Sequence, residues 1–208
     1  MSRKILLIDA YNAFMRHYSA NPSLSSNGSH VGGIVGFLNG LRIMIDQIFP
    51  DEIYVIWESG GSIRKRNIKK DYKKNRRPQN LNRFYDDIPN TLENCHDQVA
   101  NLTHILKALP LKQIYVKDCE SDDVIGYICK NKFKDKTKIV YSSDKDFYQL
   151  LSKNVEIFSP TKKSWITNEA VKEKFNVSSS NFLTARCFVG DRSDGIEGVK
   201  GAGFKVLS

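Results

Sequence analysis

No stretch of this 208-residue chain stays apolar for the length a bilayer demands. The first apolar run, residues 5–8, is too short for a secretory core and ends in Asp9. The four cysteines, Cys95, Cys119, Cys129 and Cys187, form no C-x-x-C pair. That argues against zinc and for reduced thiols in a cytoplasm. The four histidines are scattered without ligand spacing, so surface or helix-packing roles are expected of them. Asn-x-Ser/Thr triplets such as those at Asn27 and Asn101 carry little meaning without a secretory signal. The sequence has no internal repeat and no low-complexity tract. Acidic residues are scarce in one place: between Arg64 and Arg77 stand nine Lys or Arg residues and a single acid, Asp71.

What is present reads as globular. The chain is 40% hydrophobic and 26% charged, and it is long enough to bury a substantial core. A formal net charge of +9 suggests a polyanionic partner. Four runs rich in Ile, Val and Tyr read as strands buried on both faces: 4–9, 53–58, 113–118 and 138–144. Residues 155–158 read as a fifth. Between them lie helical patterns. Residues 31–48 place Val31, Ile34, Val35, Leu38, Leu41, Ile45 and Ile48 on one stripe. Residues 91–109 do the same with Leu92, Val99, Leu102, Ile105, Leu106 and Leu109. Alternating strands and helices predict an α/β domain with a mainly parallel central sheet flanked by helices. Residues 59–83 read as a basic insertion outside that core, helical when bound to a partner. From about 167 onward a helical tail leads to a glycine-rich hairpin.

The strands end in acids: Asp9, Glu58, Asp118 with Glu120, and Asp144 followed by Asp146. Open parallel sheets bind ligands beyond the carboxyl ends of their strands, so these acids are expected to share one site. The segment 117–130 crowds Asp118, Glu120, Asp122 and Asp123 just before an apolar helical pattern of Val124, Ile125, Ile128 and Cys129. Helix capping explains one or two of them. Two carboxylates about 4 Å apart repel by roughly 4 kcal/mol at an effective dielectric near 20, so the whole group needs a cation. Oxygen ligands without His or Cys select Mg2+ or Mn2+ over zinc. Such a set can hold two ions roughly 3.5–4 Å apart, suited to in-line displacement at phosphate.

Five segments occur in order: LLIDAYNAFMR, DYKKNRRP, ESDDVIGYI, SSDKDFYQLL and VGDRSDGIEGVKGAGFK. Together they resemble the flap endonuclease / 5′ exonuclease superfamily, especially bacteriophage 5′ nucleases, including those named ribonuclease H. The resemblance implies a PIN-like nuclease core over 1–166, with 59–83 as a basic helical arch. It further implies a helical region over 167–208 that begins a helix-hairpin-helix element and stops at Ser208 as its next helix should start. Asp9, Glu120, Asp122, Asp123, Asp144, Asp146, Asp191 and Asp194 match acidic positions that hold two divalent ions, directly or through water. Glu120 with Asp144 and Asp146 matches the first site, and Asp191 with Asp194 the second. Glu58 falls where the family usually has Asp, Ser121 replaces Ala as a small residue without consequence, and Gly195 replaces Asn, which could loosen its loop.

Lys73 and Arg76 match the catalytic basic pair that contacts the scissile phosphate. Arg16, Arg64, Tyr72, Lys74 and Arg77 are the further nucleic-acid contacts implied around them, with Tyr72 stacking on a base or packing the arch. Arg16 reads equally well as an exposed helix charge. Lys200, Gly201, Gly203 and Lys205 match the hairpin that grips duplex DNA, and a monovalent cation is implied near residues 198–203.

The activity implied is metal-dependent 5′ nuclease cleavage of 5′ flaps and RNA primers in DNA replication or repair. The implied partners are DNA with a 5′ flap or overhang, an RNA–DNA hybrid and a single-strand-binding or other replication protein, met by a monomer away from membranes. Three rival readings stay open: a PIN-type ribonuclease, a toprim-like domain, and a non-catalytic DNA-junction binder on the same fold.

Overall fold

A computed structural model of the chain describes residues 3–58, 62–70, 84–85 and 92–206, with the side chain of Arg64 left out. A six-stranded sheet runs through the centre in the order β3-β2-β1-β4-β5-β6. Strand β1 (Lys4–Asp9) pairs in parallel with β2 (Glu52–Trp57) on one side and with β4 (Thr137–Tyr141) on the other. Strand β3 (Lys112–Tyr115) extends the sheet beyond β2, and β5 (Val155–Ser159) extends it beyond β4, both in parallel. The chain thus reverses its direction of travel across the sheet between β1 and β4. At such a switch point the connecting loops diverge and leave a crevice at the carboxyl ends of the strands.

The alternation of side chains along β1 divides the core. Leu6 and Ile8 face one side, with Val55, Trp57, Ile139 and Tyr141 of the neighbouring strands. Helices α1 (Ala10–Tyr18), α2 (Gly32–Ile48) and α4 (Glu93–Leu106) cover that side. Ile5 and Leu7 face the other side with Ile56, Val140 and Ile157. There α5 (Ser121–Asn131), α6 (Asn168–Phe175) and α7 (Ser179–Val189) supply the cover. A short helix, α3 (Ile63–Ile68), and 3-10 turns over Lys145–Leu150 and Arg192–Asp194 complete the described elements. None of the described helices is long and apolar enough to cross a membrane.

Several sequence expectations change here. The stripe predicted for α2 holds in part: Leu41 and Ile48 are buried and Ile34, Leu38 and Ile45 pack against the core, but Val35 is exposed and the other buried positions are Gly32, Gly33, Gly36, Phe37, Gly40 and Met44. Glycines set this face. A Cβ at Gly36 would lie 2.5 Å from the Cβ of His17 in α1, so the two helices meet at backbone distance. In α4 the buried set is Cys95, Gln98, Leu102 and Leu106, with Leu92, Ile105 and Leu109 exposed. Gln98 is a polar residue in the core because its Oε1 accepts the free N–H groups of Gly33 (3.0 Å) and Ile34 (3.3 Å), capping α2 from a neighbouring helix. Strand β3 lies at an edge and is half exposed rather than buried on both faces. A sixth strand, β6 (Ser164–Ile166), pairs antiparallel with β5 and was not read from the sequence. Residues 63–68 of the basic insertion are helical within the chain itself.

Candidate active site

Asp9 is the last residue of β1 and sits in the crevice at the switch point. Both of its carboxylate oxygens receive hydroxyl donors: Ser121 Oγ donates to Oδ1 at 3.0 Å and Ser142 Oγ to Oδ2 at 3.0 Å. Burial pushes the Asp9 carboxyl up to about 7; the two serine hydrogen bonds oppose that shift, and the charges of Asp144 and Asp122 add to it. Ser121 opens α5, so the residue replacing Ala in the family pattern is a hydrogen-bond donor and not a neutral filler.

A cleft of about 450 Å³ opens above Asp9, and its walls include Glu58, Glu120, Asp122 and Asp144. Glu58 follows directly on β2, beside Tyr11, whose hydroxyl is held above its usual pKa by burial first, then by Cys95 and Glu58. Asp144 was expected at the end of a strand. Strand β4 stops at Tyr141, and Asp144 instead caps the following 3-10 turn, its Oδ1 accepting Asp146 N–H at 2.9 Å. Asn12 Oδ1 accepts Ser143 N–H at 3.1 Å and fixes this turn to α1. Asp118 adopts a left-handed conformation, φ 59°, and is not part of the cleft wall.

Glu120, Asp122 and Asp123 each bring a carboxylate oxygen within 4.8 Å of the other two. They sit at the positive N-terminal end of α5, which favours negative charge. Lys65, from α3, points its ammonium into this trio. Burial works against the charged amine, but the hydrogen bond to Glu120 and the charges of Asp122 and Asp123 outweigh it and raise its pKa above the ordinary lysine value.

An adjoining cleft of about 500 Å³ carries Asp122, Asp146, Asp191 and Asp194, together with Lys65, Lys69 and Arg186. Arg186 on α7 lies 2.5 Å from Asp191 and 3.2 Å from Asp146. Asp146 is nevertheless raised, chiefly by burial and then by Asp144, with Arg186 opposing. Asp191 is lowered: burial resists, but hydrogen bonds from Ser193 and Arg186 prevail. The loop carrying Asp191 and Asp194 is closed by a reciprocal pair of 2.7 Å backbone hydrogen bonds between Asp191 and Ile196. Gly195 has φ 71°, a conformation that glycine and asparagine both tolerate, so its replacement of Asn leaves this loop closed rather than loose. Eight of the nine acids singled out from sequence therefore line two adjoining clefts, and the ninth, Asp123, joins them through its cluster with Glu120 and Asp122.

The basic residues divide. Arg16 lines the first cleft, donating to Thr161 Oγ1 at 2.5 Å and to the Thr161 carbonyl at 3.3 Å; it is anchored rather than a freely exposed charge. Lys200, Gly201, Gly203 and Lys205 lie in the turns after α7, where Gly201 has φ 84° with open space about it. Tyr72, Lys73, Lys74, Arg76 and Arg77 lie outside the described residues, as does the side chain of Arg64. Sequence reasoning missed Lys65, Ser142, Asn12 and Arg186. Ser142 was legible as a hydroxyl beside an acidic motif; Arg186 carried no signal beyond standing five residues before Asp191.

A family model described as the 5′-3′ exonuclease N-terminal resolvase-like domain matches residues 4–176. The chain belongs to this 5′-3′ exonuclease family. It is 29% identical to a 5′-3′ exonuclease of Aquifex aeolicus over 206 residues, covering 98% of this chain and 67% of that protein. It is 32% identical to DNA polymerase I of Caldicellulosiruptor bescii over 211 residues, covering 97% of this chain and 23% of the polymerase. The chain thus spans less than a quarter of that polymerase. Its fold is similar to that of the T5 D15 protein co-crystallized with metal ions, with TM-score 0.78, 21% identity, and coverage of 98% of this chain and 73% of that one. The catalytic core of Rad2 in complex with DNA substrate gives TM-score 0.53 at 12% identity, covering 99% of this chain and 60% of that one.

Proposed function

We propose that this member of the 5′-3′ exonuclease family is a structure-specific nuclease that hydrolyses phosphodiester bonds at 5′ ends and 5′ flaps of DNA with the help of two divalent ions, Mg2+ or Mn2+. The observation that carries the reading is the convergence of carboxylates from the sheet's switch point, the head of α5 and the loop after α7 on adjoining clefts that also receive Lys65, Lys69 and Arg186. An all-oxygen donor set with no His or Cys fits a hard divalent ion, and the trio already accommodates one positive charge from Lys65. When bound, such ions neutralise the carboxylates, acidify a water and offset charge on the phosphate.

We assign Glu120, Asp122, Asp123, Asp144 and Asp146 to one ion and Asp191 and Asp194 to the other. Asp9 and Glu58 close the wall between β1 and β2. Ser121 and Ser142 hold Asp9 in a single orientation, so its remaining lone pairs face the cleft. Arg16 sits at the cleft wall, where its guanidinium can exchange Thr161 for a substrate phosphate. Lys73 and Arg76 are assigned to the scissile phosphate, and Lys200, Gly201, Gly203 and Lys205 to the backbone of the adjoining duplex. Recognition of backbone and shape, with no reading of base edges, follows from contacts of this kind.

The test is cleavage of a labelled 5′-flap substrate with added Mg2+, with chelator and Asp144→Ala as controls, beside single-stranded RNA and an RNA–DNA hybrid. Metal-dependent flap cleavage lost in the variant supports the reading. Tight junction binding without cleavage would establish the non-catalytic alternative, and preferential cleavage of single-stranded RNA would establish a PIN-type ribonuclease.

A further inference from the structure

Lys65 holds a position unlike that of an ordinary surface lysine. Its Nζ lies 2.5 Å from Glu120 Oε2, 3.0 Å from Asp123 Oδ2 and 3.5 Å from Asp122 Oδ1. The same three carboxylates form the tight oxygen cluster at the head of α5. Two further contacts aim the helix that carries it. Ser62 Oγ caps α3 by accepting Lys65 N–H at 3.2 Å, and Lys69, just beyond its other end, donates to the Gly195 carbonyl in the loop of Asp191 and Asp194. The short helix is thereby fastened to both acidic groups.

A divalent ion coordinates carboxylate oxygens at about 2.0–2.1 Å for Mg2+. An ammonium seated among the same oxygens would then lie against the ion, with like charges and no solvent between. The trio can serve one cation at a time. We propose that Lys65 is an internal counter-ion that competes with the divalent ion for Glu120, Asp122 and Asp123, and so sets how much metal the site requires before it fills. This rests on the metal-site reading above. It adds that occupation of the trio detaches Lys65 and removes one of the contacts that fasten α3. The arrangement also offers the carboxylates a partner when metal is scarce, which limits their mutual repulsion.

The test is direct binding of Mn2+ and Mg2+ to the full chain by isothermal titration calorimetry and Mn2+ electron paramagnetic resonance. Wild type is compared with Lys65→Met and Lys65→Arg, with thermal melts to verify folding. Lys65→Met should bind the first ion about tenfold more tightly or better, the affinity equivalent of one charge-assisted hydrogen bond that no longer has to break. Lys65→Arg should stay near wild type. The Lys65 15Nζ signal of wild type should shift or broaden as the first equivalent of Mg2+ is added. Equal or weaker binding by a folded Lys65→Met, or an unmoved 15Nζ signal in metal-saturated wild type, overturns the proposal and leaves the metal site standing. Failure of wild type and variant alike to bind either ion overturns the metal site, and this inference with it.

Discussion

Replacing Asp9 with Asn should abolish the proposed cleavage and, in chelator, stabilise the chain at pH 8. The Asp9 carboxyl is moved from 3.8 to about 7, mainly by burial. An unfolded chain has no such burial and ionises Asp9 near the ordinary value. Below pH 4 both states hold the proton, and Asp9 behaves much like Asn. As pH climbs from about 4 to about 7 the unfolded chain releases its proton while the folded chain keeps it, so unfolding gains about 1.4 kcal/mol per pH unit. Above 7 the folded state ionises as well, and the penalty levels off near 4 kcal/mol, that rate carried over roughly three pH units. Urea melts of wild type and Asp9→Asn across pH 4 to 8, with chelator throughout, report the contribution of Asp9 together with its smaller coupling to Asp144 and Asp122. The gap should grow from near zero to about 4 kcal/mol in favour of Asn, on the order of 10 °C in Tm for a domain of this size. A gap that stays flat across that range, or wild type the more stable at pH 8, would refute the assignment of Asp9 as a carboxylate strained by burial.

Ser121→Ala removes a 3.0 Å hydroxyl donor from the ionised form of Asp9. The carboxyl 13C titration midpoint of Asp9 should rise by about one to two on the pH scale, corresponding to about 1.5–3 kcal/mol for a hydrogen bond to a charged group. Gly36→Ala would drive a methyl to 2.5 Å from His17 Cβ, and thermal denaturation should show a loss of about 1–3 kcal/mol from overpacking between α1 and α2. Gln98→Leu keeps the bulk but strips the cap from the N-terminus of α2, and a chemical melt should register a loss of about 1–3 kcal/mol for the buried donors it leaves behind. Lys73→Ala should weaken single-stranded DNA binding regardless of sequence and reduce the slope of log K against log salt by about 0.7, one phosphate contact on a single strand.

The parallel sheet was legible because β1, β2 and β4 are continuous apolar runs, and such runs need cover on both faces. The acidic site was legible because carboxylates recur just beyond strand ends, where topology gathers them. Hydrophobic periodicity found the flank of α2's packed face and failed at its centre. Its buried face is built on Gly33, Gly36 and Gly40, which score as weakly apolar but let His17 and Tyr141 approach. It failed again at Gln98, a polar core residue whose reason is the unpaired N-terminus of another helix. β6 was invisible because a three-residue edge strand has too few positions to show alternation. Lys65, Ser142 and Arg186 were missed because each acts on a partner far away in sequence, or on an acid whose motif drew attention to the acid alone.

The central place of β1 has a consequence for synthesis. Among the six strands of this sheet β1 is made first and must wait longest for its neighbours, since its second flank is closed by Thr137–Tyr141. At ordinary elongation rates that delay is on the order of ten seconds, during which the unpaired edge of Ile5–Ile8 is a target for holdase chaperones or for misassociation. Asp9 likewise cannot meet Ser142 before then, so in a nascent chain still tethered to its message the proposed catalytic cleft is unassembled. Protease footprints on ribosome-arrested chains of graded length should show β1 becoming protected when arrest falls well beyond β4, and not sooner.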